Sequence, residues 1–460
     1  MGRVVLLGLL LVAILSCRSP YREQIEAPVR TEAWQPGEDW RREPIEVGAD
    51  KKEGVVVDLP SVLERAGAES LTVKLARARA EVAAADEEEL ISRFLPRLHP
   101  RAAVRRIDGL VQGTQGEFVD VGKQNFFFGG VAELDVDVVG TLHALDAARA
   151  RTRAASETLK GAGHEALREA ARGYYDLVEA HARVEIAMRF RDYARDLVAF
   201  TADRERAGVG ARADTLRAEA LLERAKGHVA ETEGLVARAS AHLAEVLLLP
   251  EDTLLVPSAS LAVVQLVDPE TPFEALLERA RKARPDLAAA RSLVEARAAD
   301  KDRAEDAWLA PHLKLGVAAG AFGINPGNLR DQEDYYAAVE WTWGPGLVAR
   351  EKAATSRLDA ARIALLQRER KAAREILDAR ARIRAGERAF AAAGVELAKT
   401  GEALRLARSR FEAGHGPIMD VLDLERDLAA TAQRRVVALI DLNRAHYDLF
   451  HAVGASSREF

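Results

Sequence analysis

The chain is written twice, and no other feature limits its fold so strongly. Arg204, Ala207, Gly208, Gly210, Asp214, Leu216 and Glu219 recur as Arg410, Ala413, Gly414, Gly416, Asp420, Leu422 and Glu425, all at one offset of 206 residues. Upstream, Phe94-Leu95-Pro96-Arg97-Leu98 is echoed by Leu309-Ala310-Pro311-His312-Leu313 at an offset of 215. Both offsets are close to half the chain, so each half must build one copy of the same unit. The first repeat is expected over 58–256, with a helix, a β-hairpin over 97–139 and long helices over 141–249. The second is expected over 257–460, with a helix, a β-hairpin over 312–343 and long helices over 347–453.

Those helices are too long for a compact domain. Residues 141–207 and 347–413 contain no proline, and each stretch, wholly helical, would extend about 100 Å at 1.5 Å per residue. Charged residues make up 30% of the chain and aromatics only 5%, a balance that suits long helices or coiled coil. Val421, Leu424, Leu428, Ala432, Val436, Leu439 and Leu442 recur at steps of three and four, which is an amphipathic helix with a coiled-coil-like seam. The formal net charge of −6 mixes both signs along the chain. The basic clustering of a nucleic-acid footprint is absent, so no nucleic-acid partner is expected.

The hairpins carry the opposite periodicity. Leu98, Pro100, Ala102 and Val104 alternate with Arg97, His99, Arg101 and Arg105, and Leu134, Val136 and Val138 alternate with Glu133, Asp135 and Asp137. A period of two places each set on its own face. One face is apolar. The other is basic on one strand and acidic on its partner, which predicts cross-strand charge pairing. The second copy is weaker: Leu313, Leu315 and Val317 alternate with Lys314, Gly316 and Ala318, and Val339, Trp341 and Trp343 with Glu340 and Thr342. Such strands fit a membrane barrel, apolar outside and wet inside, with the tryptophans in an interfacial girdle. They also fit a soluble sheet laid on a helical core. Four strands cannot close around a pore, so a barrel would have to be shared between subunits.

The N-terminus adds a second membrane signal. Arg3 and a mostly apolar run over 4–15 have the form of a secretory signal, and Ile14-Leu15-Ser16 before the lone Cys17 is similar to the lipobox of bacterial lipoprotein precursors. That resemblance implies a signal peptide over 1–16, acylation of Cys17 and a tether over 17–57. A plain signal peptide with an incidental cysteine is the other reading. Arg18 stands where an Asp would favour inner-membrane retention, so sorting to the outer membrane is expected. No apolar run beyond Cys17 approaches the ~18–20 residues of a membrane helix.

Enzyme chemistry finds no support. Gly208-Val209-Gly210 with Ala213 superficially fits a dinucleotide loop but follows a helical stretch, not a strand. A Walker loop, a His-Glu-x-x-His and a Gly-x-Ser-x-Gly are all missing. The ten histidines are scattered, so neither a metal site nor a cofactor is expected.

Taken together, the doubled helix–Leu/Ala-Pro–hairpin pattern, Arg284-Pro285-Asp286-Leu287 and the paired Ala-Gly…Asp…Leu motifs resemble the TolC-like outer membrane factors, over about 60–455. Glu69-Ser70-Leu71-Thr72 departs from the Arg-Pro-Asp-Leu pattern in the first copy. The resemblance implies a mainly α fold with a transmembrane β-barrel: a homotrimer in which each subunit gives four strands to a twelve-stranded barrel, above a coiled-coil α-helical barrel. It implies a passive, gated outer-membrane channel of a tripartite efflux pump or type I secretion system. The partners would be a periplasmic adaptor (membrane fusion) protein, an inner-membrane transporter and outer-membrane lipid. A periplasmic coiled-coil lipoprotein acting as adaptor or scaffold is the rival reading.

Residue by residue, the resemblance places Asp420, Asp423 and Asp214 at the pore constriction. Gly208, Gly210, Gly414 and Gly416 fall in tip turns facing the adaptor, and Arg97, Arg101, Arg105, Glu133, Asp135 and Asp137 in the barrel lumen. On a three-fold axis, Asp420 and Asp423 would gather as six carboxylates, and at ~6 Å and an effective dielectric of about 20 each pair repels by roughly 3 kcal/mol. A closed tip would then need cations, protonation or hydrogen-bond donors. Helix capping is an alternative role for Asp214 and Asp420, and positive φ for the four glycines. The family's gating tyrosine and arginine fall at Phe411 and Gly416, so both latch groups are missing.

Overall fold

The computed structural model describes residues 45–47, 54–250 and 252–454, and shows the duplication in its element lengths. In the first half come β1 (Ile45–Val47), β2 (Val55–Val57), α1 (Leu59–Glu69), α2 (Leu71–Ser92), β3 (Arg97–Gln112), β4 (Phe118–Asp137), α3 (Val138–Arg206) and α4 (Arg212–Val246). In the second come β5 (Leu255–Pro257), β6 (Ala259–Leu261), α5 (Phe273–Ala283), α6 (Pro285–Asp306), β7 (His312–Gly323), β8 (Arg330–Glu340), α7 (Gly346–Glu412) and α8 (Ile418–Ala452). The helices run 11, 22, 69 and 35 residues in the first copy and 11, 22, 67 and 35 in the second. Sequence motifs that looked sparse therefore mark a nearly complete structural repeat.

Two sequence expectations need correction. The single helices expected over about 61–93 and 272–308 are each broken once. Arg284 precedes Pro285 and is extended, with φ −73° and ψ 119°, because a residue before proline is pushed out of the helical region. The first copy breaks at Ser70, φ −49° and ψ 133°, with no proline to force it. The two breaks are structurally equivalent, and the residues three beyond them, Val73 and Leu287, are both buried. The second hairpin ends at Glu340 rather than 343. Trp341 and Trp343 instead donate their indole N–H groups to the carbonyls of Leu309 and Trp308, at 3.3 and 2.9 Å.

The described residues divide into two units. One, over 78–156 and 289–366, holds a four-stranded antiparallel sheet in the order β3-β4-β7-β8. The pairing joins the two repeats through β4 and β7, with Val136 opposite Leu313 and Phe126 opposite Gly323. Ala80, Ala84 and Ala155 pack α2 on α3, and Arg151–Asp300 at 2.6 Å and Arg153–Glu295 at 2.6 Å tie α3 to α6. Small alanine side chains let these helices approach closely.

The other unit takes in 157–288, 367–454 and the described residues up to 77. Its largest cluster gathers Val62 and Leu63 of α1, Leu177 and Val178 of α3, Leu243 of α4 and Leu439 and Ile440 of α8. A second cluster joins Leu276 of α5, Ile376 and Ile383 of α7 and Leu442 and Leu449 of α8. The seam read from sequence on α8 is buried at Val421, Val436, Leu439 and Leu442 and partly buried at Leu424 and Leu428. Part of the expected tether is also structured here: β1 lies antiparallel to β6, and β2 parallel to β5. Cys17 and the signal segment lie outside the described residues.

His446 sits in this core, 2% exposed, and its Nδ1 has no hydrogen-bond partner. Burial holds its pKa down at about 4, against an ordinary 6.5. The unfolded chain protonates below pH 6.5 while the folded chain does not, so stability is full above pH 6.5 and falls as the pH drops to about 4. His446→Gln should remove about 3 kcal/mol of that acid loss. Urea midpoints at pH 7 and pH 4.5 check it; equal acid sensitivity in both proteins would contradict it.

Candidate functional site: sheet faces and helix-tip turns

The strand register assigns every side chain of the sheet to one of two faces. Arg97 stands opposite Glu133, Asp135 opposite Lys314, Asp137 opposite His312, and His312 opposite Glu340. All therefore share one face with Arg101, Arg105 and Tyr336. The other face carries Leu98, Val104, Phe128, Leu134, Leu315, Val317, Tyr335 and Val339. Several of these apolar side chains are open, among them Leu98 at 62% and Val339 at 53%. An apolar face this exposed on a folded chain marks a surface covered by something else.

Charge pairing on the polar face differs from the expectation. Only Arg97 meets an acid across the first hairpin; Arg101 stands opposite Gly129 and Arg105 opposite Asn125. The acids of β4 turn instead to the second repeat. The Nδ1 of His312 lies 3.5 Å from Asp135, and Lys314 bonds Glu340 at 2.7 Å. Asp137 accepts from the Gly140 backbone N–H at 2.8 Å, holding the chain as it enters α3. Sequence alternation gives a face but no register, so it matched the right face with the wrong partner strand. Where this face meets the helices, a cavity of about 970 Å³ is lined by Arg97, Asp135, Asp137, Arg303, Arg350 and Arg357 among others. The polar side of the sheet thus opens on arginines as well as acids.

Two equivalent turns end α3 and α7. Gly208 and Gly414 have φ of +76° and +80°. Their N–H groups return to Glu205 and Phe411, and the next N–H groups to Arg204 and Arg410, all at 2.8 to 3.0 Å. These are helix-terminating glycines, in a conformation that costs a side-chain residue dearly. Positive φ was expected of all four glycines, and Gly210 and Gly416 do not have it. A Cβ on Gly210 would come within 2.9 Å of Arg204, and one on Gly416 within 3.3 Å of Arg410. Their role is close backbone approach.

The capping expectation also needs correction. The N-cap residues are Ala211 and Pro417, neither with a side-chain cap bond, while Asp214 and Asp420 lie in the first helical turn. The helices start earlier than the Asp positions suggested, and an acid there is favoured by the helix dipole. Asp420 and Asp423 are exposed and Asp214 is half-buried. Asp214 pairs with Arg217 at 3.4 Å and Asp423 with Arg426 at 3.3 Å.

Two interactions next to the turns were not legible as motifs. The guanidinium of Arg204 lies over Phe200 and Phe411, 5.8 and 5.3 Å from the ring centroids, and donates to the Phe411 carbonyl at 3.2 Å. Phe411 is buried, edge-to-face with Phe200 at 5.7 Å. Deeper, Glu425 of α8 is paired with Arg408 of α7, whose guanidinium lies 4.2 Å from the ring of Tyr193 on α3. Burial pushes the Glu425 carboxyl above its ordinary range even with Arg408 beside it. The repeat offered a signal, since Glu425 matches Glu219, but Glu219 is exposed and carries no such pair.

Arg284 opens the Arg-Pro-Asp-Leu signature at the break between α5 and α6. It is 6% exposed, grips Asp286 through two nitrogens at 3.0 and 2.9 Å, and reaches Glu375 at 2.6 Å and the Ala452 carbonyl at 3.1 Å. It joins α6, α7 and the end of α8. Among the described residues, no helix is long and apolar enough to cross a membrane and no group of His, Cys, Asp and Glu could hold a metal.

The described residues thus combine a sheet that has one exposed apolar face and one polar face with long helix pairs. Comparison with known proteins shows where such a fold occurs. The Outer membrane efflux protein family matches residues 62–247. Solved structures extend the likeness across the chain. A membrane protein from Pseudomonas aeruginosa aligns with a TM-score of 0.78 at 21% identity, over 92% of this chain and 100% of that one. The outer-membrane channel OprN aligns at 0.77 and 18%, over 94% and 100%. VceC of Vibrio cholerae aligns at 0.75 and 19%, over 86% and 96%. No curated protein matches by sequence. The family's sequence model thus falls on the first repeat, and the described chain shares the fold of solved outer-membrane channels.

The buried pair gives a direct test. Arg408→Ala strands a buried carboxylate and should cost about 2 kcal/mol, discounted for the partial exposure of Arg408. Adding Glu425→Leu should return most of it. Urea midpoints of both single variants and the double variant measure the coupling; additive losses would contradict it.

Proposed function

We propose that the chain works as a homotrimer, the passive exit duct of a tripartite efflux pump or type I secretion system. Each subunit gives its four strands to a twelve-stranded barrel, and a periplasmic adaptor and inner-membrane transporter meet the tip turns. The observation that carries this reading is the sheet itself. Among the described residues it has two open edges, β3 and β8, and an exposed apolar face opposite a charged one. In lipid every backbone N–H and C=O needs a partner, so a sheet with open edges enters a bilayer only by closing on itself or on copies. Four strands are too few to close around a channel.

The exposed Asp420 and Asp423 belong at the constriction on this reading, with Asp214 beside them. Phe411 is turned into its own subunit and Gly416 offers no donor, so closure rests on the carboxylates and whatever cations they hold. Acylation of Cys17 would fix the chain to the outer membrane; several acyl chains suffice for stable anchoring. The adaptor reading fits less well, because the long helices come in two sets, each with its own hairpin.

Purified protein in planar lipid bilayers should give single-channel currents, blocked by divalent cations from the periplasmic side. The double variant Asp420→Ala, Asp423→Ala should raise conductance severalfold and weaken the block. Unchanged conductance and block would remove these residues from the gate.

A further inference from the structure

The first hairpin outruns the second, and its two faces exchange character where it does so. Pairing of β4 with β7 stops at Phe126 opposite Gly323. Beyond that level, residues 105–112 of β3 and 118–125 of β4 continue as a two-stranded ribbon, eight residues on each strand. Within the four-stranded part, the face of Arg97, Arg101 and Glu133 is polar and the face of Leu98, Val104 and Leu134 apolar. In the ribbon the register is unbroken, but the first face now carries Ile107, Val111, Val119 and Val121, with Lys123 as its only charge past Arg105. The second face carries Arg106, Asp108, Asp120, Gln112 and Gln124. Arg106 and Asp108 form an ion pair along β3 on that face at 2.7 Å. Leu110 and Phe118 are the two apolar residues there, both at the ribbon's tip.

The inversion has a physical reading. The side that continues the barrel's outer wall turns polar, as it must where lipid gives way to water. The side that continues the inner wall turns apolar, where water alone would make it polar. Val111 and Val119 are 37% and 47% exposed on the single chain. A lipid partner would require the apolar residues on the opposite side. The bodies that share this side of the bilayer at fixed distance are the ribbons of sister subunits.

On the trimeric-barrel reading above, we propose that the three ribbons fold over the outer mouth and pack Ile107, Val111, Val119 and Val121 against their counterparts near the axis, as an apolar cap on the exit. The reach is sufficient. Eight residues span about 26 Å at ~3.3 Å each, whereas twelve strands ~4.8 Å apart and tilted by ~40° give a radius of about 12 Å. A bend is also provided, since Gly109, with φ +119°, and Gly122 lie at adjacent rungs of the ribbon, opposite Val121 and Asp108. Glycine inside a strand marks such bends.

Cysteine cross-linking on the full chain tests the contact. Val119→Cys and, separately, Val121→Cys are treated in lipid vesicles with a short bis-maleimide, with Asp120→Cys on the outward face and the unmutated chain as controls. A three-fold axis can join at most two of three identical cysteines, so covalent dimers are expected for Val119→Cys or Val121→Cys and not for the controls. A trimer by native size that gives no dimers at either position, or gives them equally at Asp120→Cys, overturns the cap. A protein that is not trimeric overturns the barrel reading and the cap with it.

Discussion

Backbone hydrogen bonding along two strand edges is the constraint on which this structure turns. The β3 and β8 edges have no partner strand among the described residues, and one face between them is apolar and open. In water such a sheet invites edge-to-edge pairing; in lipid it is untenable unless closed. The strand order answers that demand. The register joins the two repeats through β4 and β7, so the chain presents one four-stranded sheet rather than two loose hairpins. The charged residues then share one continuous face across both repeats.

The helices answer a different one. Segments of 69 and 67 residues expose far more backbone length than one hydrophobic core can cover, and most helical stability in proteins comes from packing one face. Separate clusters solve this in sequence along the helices: one under α1, a second around α5, a third beside the tip turns. Between them lie polar fasteners that apolar packing cannot supply. Arg284 ties three helices by directional bonds, and Arg408 with Glu425 and Tyr193 does the same near the tip. Such pairs add little net stability, but they fix which helix face meets which.

Much of this was legible in the chain before any coordinates. Repeated Gly and Asp residues announced the duplication, the proline-free stretches announced the long helices, and alternation at 97–105 and 133–137 announced two-faced strands. What the sequence could not express was anything set by register or by three-dimensional neighbours. The β4 acids pair across to His312 and Lys314 because of a strand order that no local pattern encodes. The break at Ser70 has no proline to signal it. Asp214 and Asp420 looked like caps because their residue type favours that role, yet each helix begins before them. Phe411 read only as a missing tyrosine; its packing on Phe200 and Arg204 depends on residues 211 and 207 positions away.

The central claim is that one face of the sheet meets lipid while its neighbour meets water. Single cysteines placed along β7, from Leu313 to Ala318, report it residue by residue when probed with a membrane-impermeant maleimide in vesicles. Modification should alternate, fast at 314, 316 and 318 and slow at 313, 315 and 317. Uniform modification along the strand would mean that no face of this sheet is buried in a bilayer, and the barrel would have to be abandoned.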